Sequence, residues 1–310
     1  MHAGLYYEPG SLKARLCRQG SQLLREYCRE HALPYQECGK VVVATGPGDI
    51  QRLAQLARRA AANDVPVEVI TQDRLAELEP LAATHEHALW SPTTAVADPL
   101  EVVTGVARDA QRRGVLLQLG QPVLAARPGE ILTPAGRHHV GHVVNCAGLH
   151  ADRVARWFGM CDDYVVLPFK GLYRRLTWPP GRLQRAVYPV PDPQFPFLGV
   201  HLTVTAGGGA KLGPTAIPVL SRENYHRLQG IEWADVPEGA VALTRFVRHS
   251  PADSRRLIAA ELRKYRTGAL VADGARLVPS LRRSDVAAPV RPGIRAQLVS
   301  TRTGALEMDF

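Results

Sequence analysis

Several large protein classes are excluded by what this chain lacks. No apolar run approaches the ~20 residues that a bilayer-spanning helix needs. The opening residues, Met1-His2-Ala3-Gly4-Leu5-Tyr6-Tyr7, carry no basic stretch followed by an apolar one, so they do not read as a signal peptide. Cysteine is sparse. Cys17, Cys28, Cys38, Cys146 and Cys161 are odd in number and contain no CxxC pair, which fits free thiols in a reducing compartment. No internal repeat or low-complexity tract is visible. The GxGxxG dinucleotide fingerprint is absent, and so is the GxSxG of a hydrolase nucleophile.

What is present suits a soluble globular chain. Its 310 residues are 45% apolar and 22% charged, enough for one large domain or two interleaved ones. A core of that size needs neither disulfides nor metal. The net charge of +9 favours acidic partners. However, Arg153, Arg156, Arg174, Arg175, Arg182 and Arg185 are dispersed among apolar residues and prolines, with no helix-turn-helix or RNP-like motif. They read as solvated charge, and no nucleic-acid partner is expected. A cytoplasmic location follows, with loose attachment to an anionic inner-membrane surface compatible with the charge.

The pattern of elements is mixed. Ser11 caps a helix through residue 31, and residues 41–45 form a buried strand. Asp49 is expected to cap a helix through Asn63. Asp98-Pro99 opens a helix that ends at Gly114. Strands are expected at residues 115–119, 122–126, 130–133 and 138–146, then a helix from Gly148 to Gly159. Residues 165–213 look like an antiparallel sheet, and 221–283 look largely helical. A last strand covers 294–300, before a hairpin toward 306–310.

Some eye-catching groups have ordinary explanations. Gly46-Pro47-Gly48 and Gly207-Gly208-Gly209 are turns, since neither completes a phosphate-binding loop. His138, His139 and His142, like His85 and His87, read as polar strand positions, and no metal is expected. Three segments are harder to explain by packing. His2-Ala3-Gly4 sets a histidine beside small residues that allow close approach of a planar ligand. Phe169-Lys170-Gly171-Leu172-Tyr173 and the run from Phe195 to Leu202, which contains His201, place Lys, Tyr and His among apolar strands. Gly293-Ile294-Arg295-Ala296-Gln297 puts an arginine and an amide in a late strand, where a buried arginine needs an anionic partner. Together they describe a cationic pocket for a small acid.

The stretches HAGLYYEPGSLKARLC, YQECGKVVVAT, VVNCAGLHADRV, LPFKGLYRRL, VYPVPDPQFPFLGVHLT, KLGPTAIPVLSRENY and PGIRAQLVS occur in the order found in one flavoenzyme family. The chain resembles the L-2-hydroxyglutarate oxidase/dehydrogenase family, within the D-amino-acid-oxidase-like FAD-dependent oxidoreductases. The resemblance runs from residue 2 to about 310 and weakens between Arg227 and Arg282. It implies an α/β (α+β) fold in which a Rossmann-like FAD domain interleaves with an antiparallel substrate domain. The FAD portion would span 1–45, 88–160 and 290–310, and the substrate portion 46–87 and 161–289. It also implies FAD as cofactor, a small dicarboxylate 2-hydroxy acid as substrate, and oxygen, a quinone or an electron-transfer protein as acceptor. His2 would be the general base, Arg295 a carboxylate clamp and Lys170 a further catalytic group. Tyr173, His201, Gln297 and Tyr225 would meet the substrate. Ala3, Gly4, Val123, Cys146, Ala147 and Gly148 would meet FAD.

The sequence departs from the family pattern. Family members carry a strand, a GxGxxG turn and a helix before the HAG motif, and a further FAD-binding strand and helix after the last hairpin. In this sequence Met1 precedes the motif directly, and the chain ends at Phe310. A truncated, active oxidoreductase is therefore the first expectation. The alternative is a catalytically inactive remnant that only binds anions or serves structurally.

Overall fold

The computed structural model describes residues 1–192, 197–225, 230–249 and 251–308. The first part runs α1 (Leu12–Glu30), β1 (Tyr35–Gln36), β2 (Lys40–Val43), α2 (Gly48–Ala62), β3 (Glu68–Thr71), α3 (Gln72–Leu78), β4 (His87–Ser91), β5 (Val96–Ala97) and α4 (Pro99–Arg112). Caps explain several starts. Ser11 Oγ accepts from the Ala14 amide at 3.2 Å, and Asp98 accepts from the Leu100 and Glu101 amides ahead of Pro99. Asp49 is not the cap that the sequence suggests. It sits one residue inside α2, and its carboxylate accepts from the Thr45 amide and hydroxyl at 2.8 and 2.9 Å.

The second part runs β6 (Ala125–Arg127), β7 (Glu130–Thr133), β8 (Gly136–His139), α5 (Ala151–Arg156), β9 (Tyr164–Leu176), β10 (Ala186–Pro189), β11 (His201–Val204), β12 (Ala210–Gly213) and β13 (Ile217–Pro218). Helices α6 (Val236–His249), α7 (Pro251–Arg263) and α8 (Thr267–Ala275) follow, and β14 (Val286–Ser300) closes the series.

The main sheet has the order β13-β9-β12-β11-β10-β2-β4-β3, with β14 along β9. The β10–β2 pair is parallel and the other pairs are antiparallel. One apolar cluster joins Val41, Val43, Val187, Leu202 and Leu212 to Leu270, Leu277 and Leu281. On the opposite face, α2 packs Leu53 and Leu56 against Val42, Leu89 and Tyr188. Farther along, Phe246 and Leu257 of α6 and α7 cover Leu167, Phe169 and Val299. The sheet surface between those two covers stays open, and the cavity lies there.

Several sequence expectations fail here. Residues 115–119 and 140–146 make no strand ladder, because no neighbouring strand pairs with them among the described residues. Their apolar side chains are consequently exposed, Leu116 at 79%, Leu119 at 81% and Val144 at 84%. Helix α5 is also shorter than predicted, and a single 3-10 turn at Gly148–His150 precedes it. The first strand of the antiparallel region is a single long one, β9, and β14 runs through Pro289 and Pro292 by shifting register. Of the closing hairpin, Leu306 bridges Val299, while Asp309 and Phe310 lie outside the described residues.

An ion-pair network ties α5 to α6. Arg222 donates to both Asp152 and Glu238, and Arg153 and Arg156 also reach Glu238. The side chains of Asp152 and Arg222 are almost fully buried. Burial alone would push the Asp152 carboxyl up, but hydrogen bonds from Arg222 and the Val166 amide outweigh it and hold it below the usual range.

Candidate active site

The open sheet surface floors a cavity of about 1020 Å³. Its walls include Met1, His2, Ala95, Val96, Phe197 and Arg295, and its floor Tyr173, Tyr188, His201 and Lys211. Strand register explains which side chains face it. Along β9, Gly171, Tyr173 and Arg175 line the cavity, since alternate residues share a face.

His2 enters from the chain start, which is held by the Met1 amine donating to the Ala95 carbonyl at 2.6 Å. Gly4, at φ +93°, bends the backbone past α1, where an added Cβ would lie 3.5 Å from the Ala14 carbonyl. The His2 ring opens onto the cavity, 6.5 Å between centroids from Tyr188. Tyr188 stands edge-on to His201 at 3.8 Å. Desolvation, then Lys40 and the Met1 ammonium, pushes His2 down to about 4. Desolvation also takes His201 down to about 3. Both imidazoles are therefore neutral at pH 7. His201 Nδ1 lies 2.9 Å from the Gly199 carbonyl and must donate to it, which leaves Nε2 as an acceptor. Gly213, the register partner of His201, is at φ +142°, and a Cβ there would lie 2.5 Å from the Leu172 carbonyl and 2.9 Å from the Tyr173 ring. Glycine is required at that point of the floor.

Arg295 is solvent-accessible through the cavity rather than buried in a strand, as the sequence suggested. Its guanidinium stacks 5.2 Å from the Phe197 ring. No carboxylate pairs with it among the described residues.

The structure gathers only part of the expected site. His2, Tyr173, His201 and Arg295 meet at the cavity. Lys170 is not among its lining residues: it is buried on the other face of β9 and donates to Asn224 Oδ1 at 2.8 Å. Gln297 is buried and donates to the Glu307 carbonyl. Tyr225 lies beneath Arg291, outside the lining. Ala3 is buried behind His2. Val123, Cys146, Ala147 and Gly148 are exposed and away from the cavity. Phe195 and Pro196 lie outside the described residues.

Sequence reasoning missed Lys40. It is wholly buried, its Nζ has no hydrogen-bond partner among the described residues, and it lies 4.4 Å from the Tyr6 ring and 5.1 Å from Tyr188. Burial takes it down to about 7. A lysine heading the apolar run Lys40–Val43, buried at every position, was the available signal.

The sequence matches the FAD dependent oxidoreductase family over residues 1–303. The chain belongs to that family. It is 31% identical to the L-2-hydroxyglutarate dehydrogenase of Escherichia coli K12, over 100% of this chain and 74% of that protein. The Homo sapiens mitochondrial L-2-hydroxyglutarate dehydrogenase is 35% identical over 73% of this chain and 52% of its own length. In fold, the chain is similar to L-alpha-glycerophosphate oxidase from Mycoplasma pneumoniae, with TM-score 0.71 and 20% identity, over 100% of this chain and 73% of that one.

The residues around His2 fit the redox-active ring of FAD, the family's cofactor. The cavity is large enough for a planar ring and a small substrate. The Tyr6 hydroxyl and Lys40 Nζ, buried without hydrogen-bond partners among the described residues, lie outside its lining, with Lys40 Nζ 5.1 Å from the Tyr188 ring. Residues 144–147 are exposed and outside any strand ladder. Among the described residues no helix is long and apolar enough to cross a membrane.

Proposed function

We propose that this FAD-dependent oxidoreductase oxidises L-2-hydroxyglutarate to 2-oxoglutarate. The observation that carries the reading is one cavity in which two neutral imidazoles stand near an unpaired guanidinium, in a chain similar throughout to L-2-hydroxyglutarate dehydrogenases. Arg295 binds the C1 carboxylate, and its planar fork orients C2. The hydroxyl donates to the free ring nitrogen of His2, which fixes its direction. The free ring nitrogen of His2 takes the hydroxyl proton as C2 loses its hydride. FAD, when bound, supplies the two-electron acceptor. Desolvation leaves His2 a weak base in the free protein, and the arriving carboxylates raise its basicity. Tyr188 stands between the two imidazoles, 6.5 Å from His2 and 3.8 Å from His201 by ring centroids.

Anaerobic mixing of the FAD-loaded chain with L-2-hydroxyglutarate should bleach the flavin absorbance and release one 2-oxoglutarate per flavin. A loaded chain that stays oxidised in saturating substrate would refute the reading. A second reading, anion binding without turnover, is favoured by residues 115–120 and 144–147, which are exposed and outside any strand ladder. A chain that binds glutarate but retains no FAD on gel filtration would decide for it.

A further inference from the structure

The open sheet face can be read as rows running across the strands. Tyr188, His201, Gly213 and Tyr173 form one row, since His201 pairs with Gly213 and Tyr188 stacks on His201. The next row contains Thr203, Lys211 and Arg175, because Thr203 pairs with Lys211 and Lys211 with Arg175. All three of these side chains line the cavity.

That second row contains an arrangement that packing does not favour. Lys211 and Arg175 are direct cross-strand partners of like charge, a pairing that destabilises a sheet. No carboxylate pairs with either among the described residues. Lys211 is half-buried, with its ammonium 4.9 Å from the Tyr173 ring, so the head is held over the floor. Arg175 is exposed beside it, and two adjacent cations lining a cavity, with no carboxylate partner among the described residues, attract an anionic ligand group.

We propose that Lys211, with Arg175 beside it, receives the distal carboxylate of the substrate and sets its chain length. This rests on the dicarboxylate reading above and replaces Lys170, whose ammonium is engaged on the opposite face. The spacing supports it. Rows two residues apart along a strand are separated by about 6.7 Å. In an extended five-carbon diacid, C5 lies roughly 4 Å from C2, with its oxygens about 1 Å farther. With C2 over the His201 row, those oxygens come within hydrogen-bond reach of an ammonium rooted in the next row. A three-carbon hydroxy acid stops short of it.

Calorimetry on the full chain tests the assignment with redox-inert ligands. Glutarate and valerate share a carbon count and differ by one carboxylate. Glutarate should bind ~10–100-fold more tightly, as befits a charge-assisted contact. Lys211→Met should cut the glutarate-to-valerate ratio at least tenfold, while Lys211→Arg retains most of it. A ratio within twofold of wild type in Lys211→Met would overturn the assignment and leave the dicarboxylate reading standing. No preference for glutarate in the wild type would overturn both. A series from malonate to adipate, run on the wild type, needs no variant to fold. Affinity should peak at five carbons, and a flat or monotonic series would remove Lys211 as a length gauge.

Discussion

Replacing Lys40 by methionine should make the protein more stable, by an amount that depends on pH. Lys40 is buried, and its ammonium has no hydrogen-bond partner among the described residues. Its pKa falls from 10.5 to about 7, which corresponds to roughly 5 kcal/mol against the charged folded form. The rings of Tyr6 and Tyr188 attract the ammonium, yet the lowered pKa is the net balance, so that penalty stands. Below pH 7 both folded and unfolded chains carry the proton, so the penalty is complete. Between pH 7 and 10.5 the unfolded chain binds more protons than the folded one, so wild-type stability rises with pH. Methionine has a similar length and no charge, so Lys40→Met should gain several kcal/mol at pH 6, at most roughly 5, and lose most of that lead toward pH 10. Urea unfolding, followed by tryptophan fluorescence and circular dichroism at pH 6, 7.5 and 9, gives the comparison. A variant less stable than wild type at pH 6, or a lead that does not change with pH, would refute the reasoning.

Four other outcomes follow from the same structure. The acid limb of kcat/KM should fall near pH 4 rather than 6.5, and it should move upward in Lys40→Met, because Lys40 is one of the charges depressing His2. His2→Gln should slow flavin reduction by about 10²–10⁴-fold while glutarate affinity changes little, as stopped-flow and calorimetry would show. Arg295→Ala should raise KM and lower kcat/KM by roughly tenfold or more, and unchanged kinetics would remove it from the site. Arg222→Met leaves the buried Asp152 carboxylate without its main partner and should cost about 3–5 kcal/mol at pH 7 in the same urea assay. The Asp152 carboxyl is depressed in the folded state, so this contribution is present above the ordinary carboxylate range and fades as pH falls through the folded value.

Elements whose signals are local were legible in the sequence. Ser11 and Asp98-Pro99 marked helix starts because a cap acts within four residues. The Gly207-Gly208-Gly209 turn joined β11 to β12 as read, since a hairpin is also local. Strands that depend on a partner were not legible. Residues 115–119 and 140–146 have strand composition, but a strand exists only through its neighbour. The site divided along the same line. His2, Tyr173, His201 and Arg295 stood in motifs that could be read off the chain. The facing of Lys170 could not be, because β9 is apolar on both sides and alternation gives no phase there. Lys211 and Arg175 are 36 residues apart and become neighbours only through the β12–β9 register.

The β9–β14 ladder also bears on when the site comes into being. Arg295 reaches its place opposite Phe169 only after roughly 125 intervening residues have been looped out. Local structures such as α1 and the β11–β12 hairpin can form in microseconds, whereas pairing over such a separation is slow. During synthesis the floor with Tyr173, His201 and Lys211 can assemble first, while the strand bearing the guanidinium is still to emerge. The cavity therefore passes through a stage in which its cations face water without Arg295. In refolding experiments, glutarate binding should lag behind the recovery of helical circular dichroism.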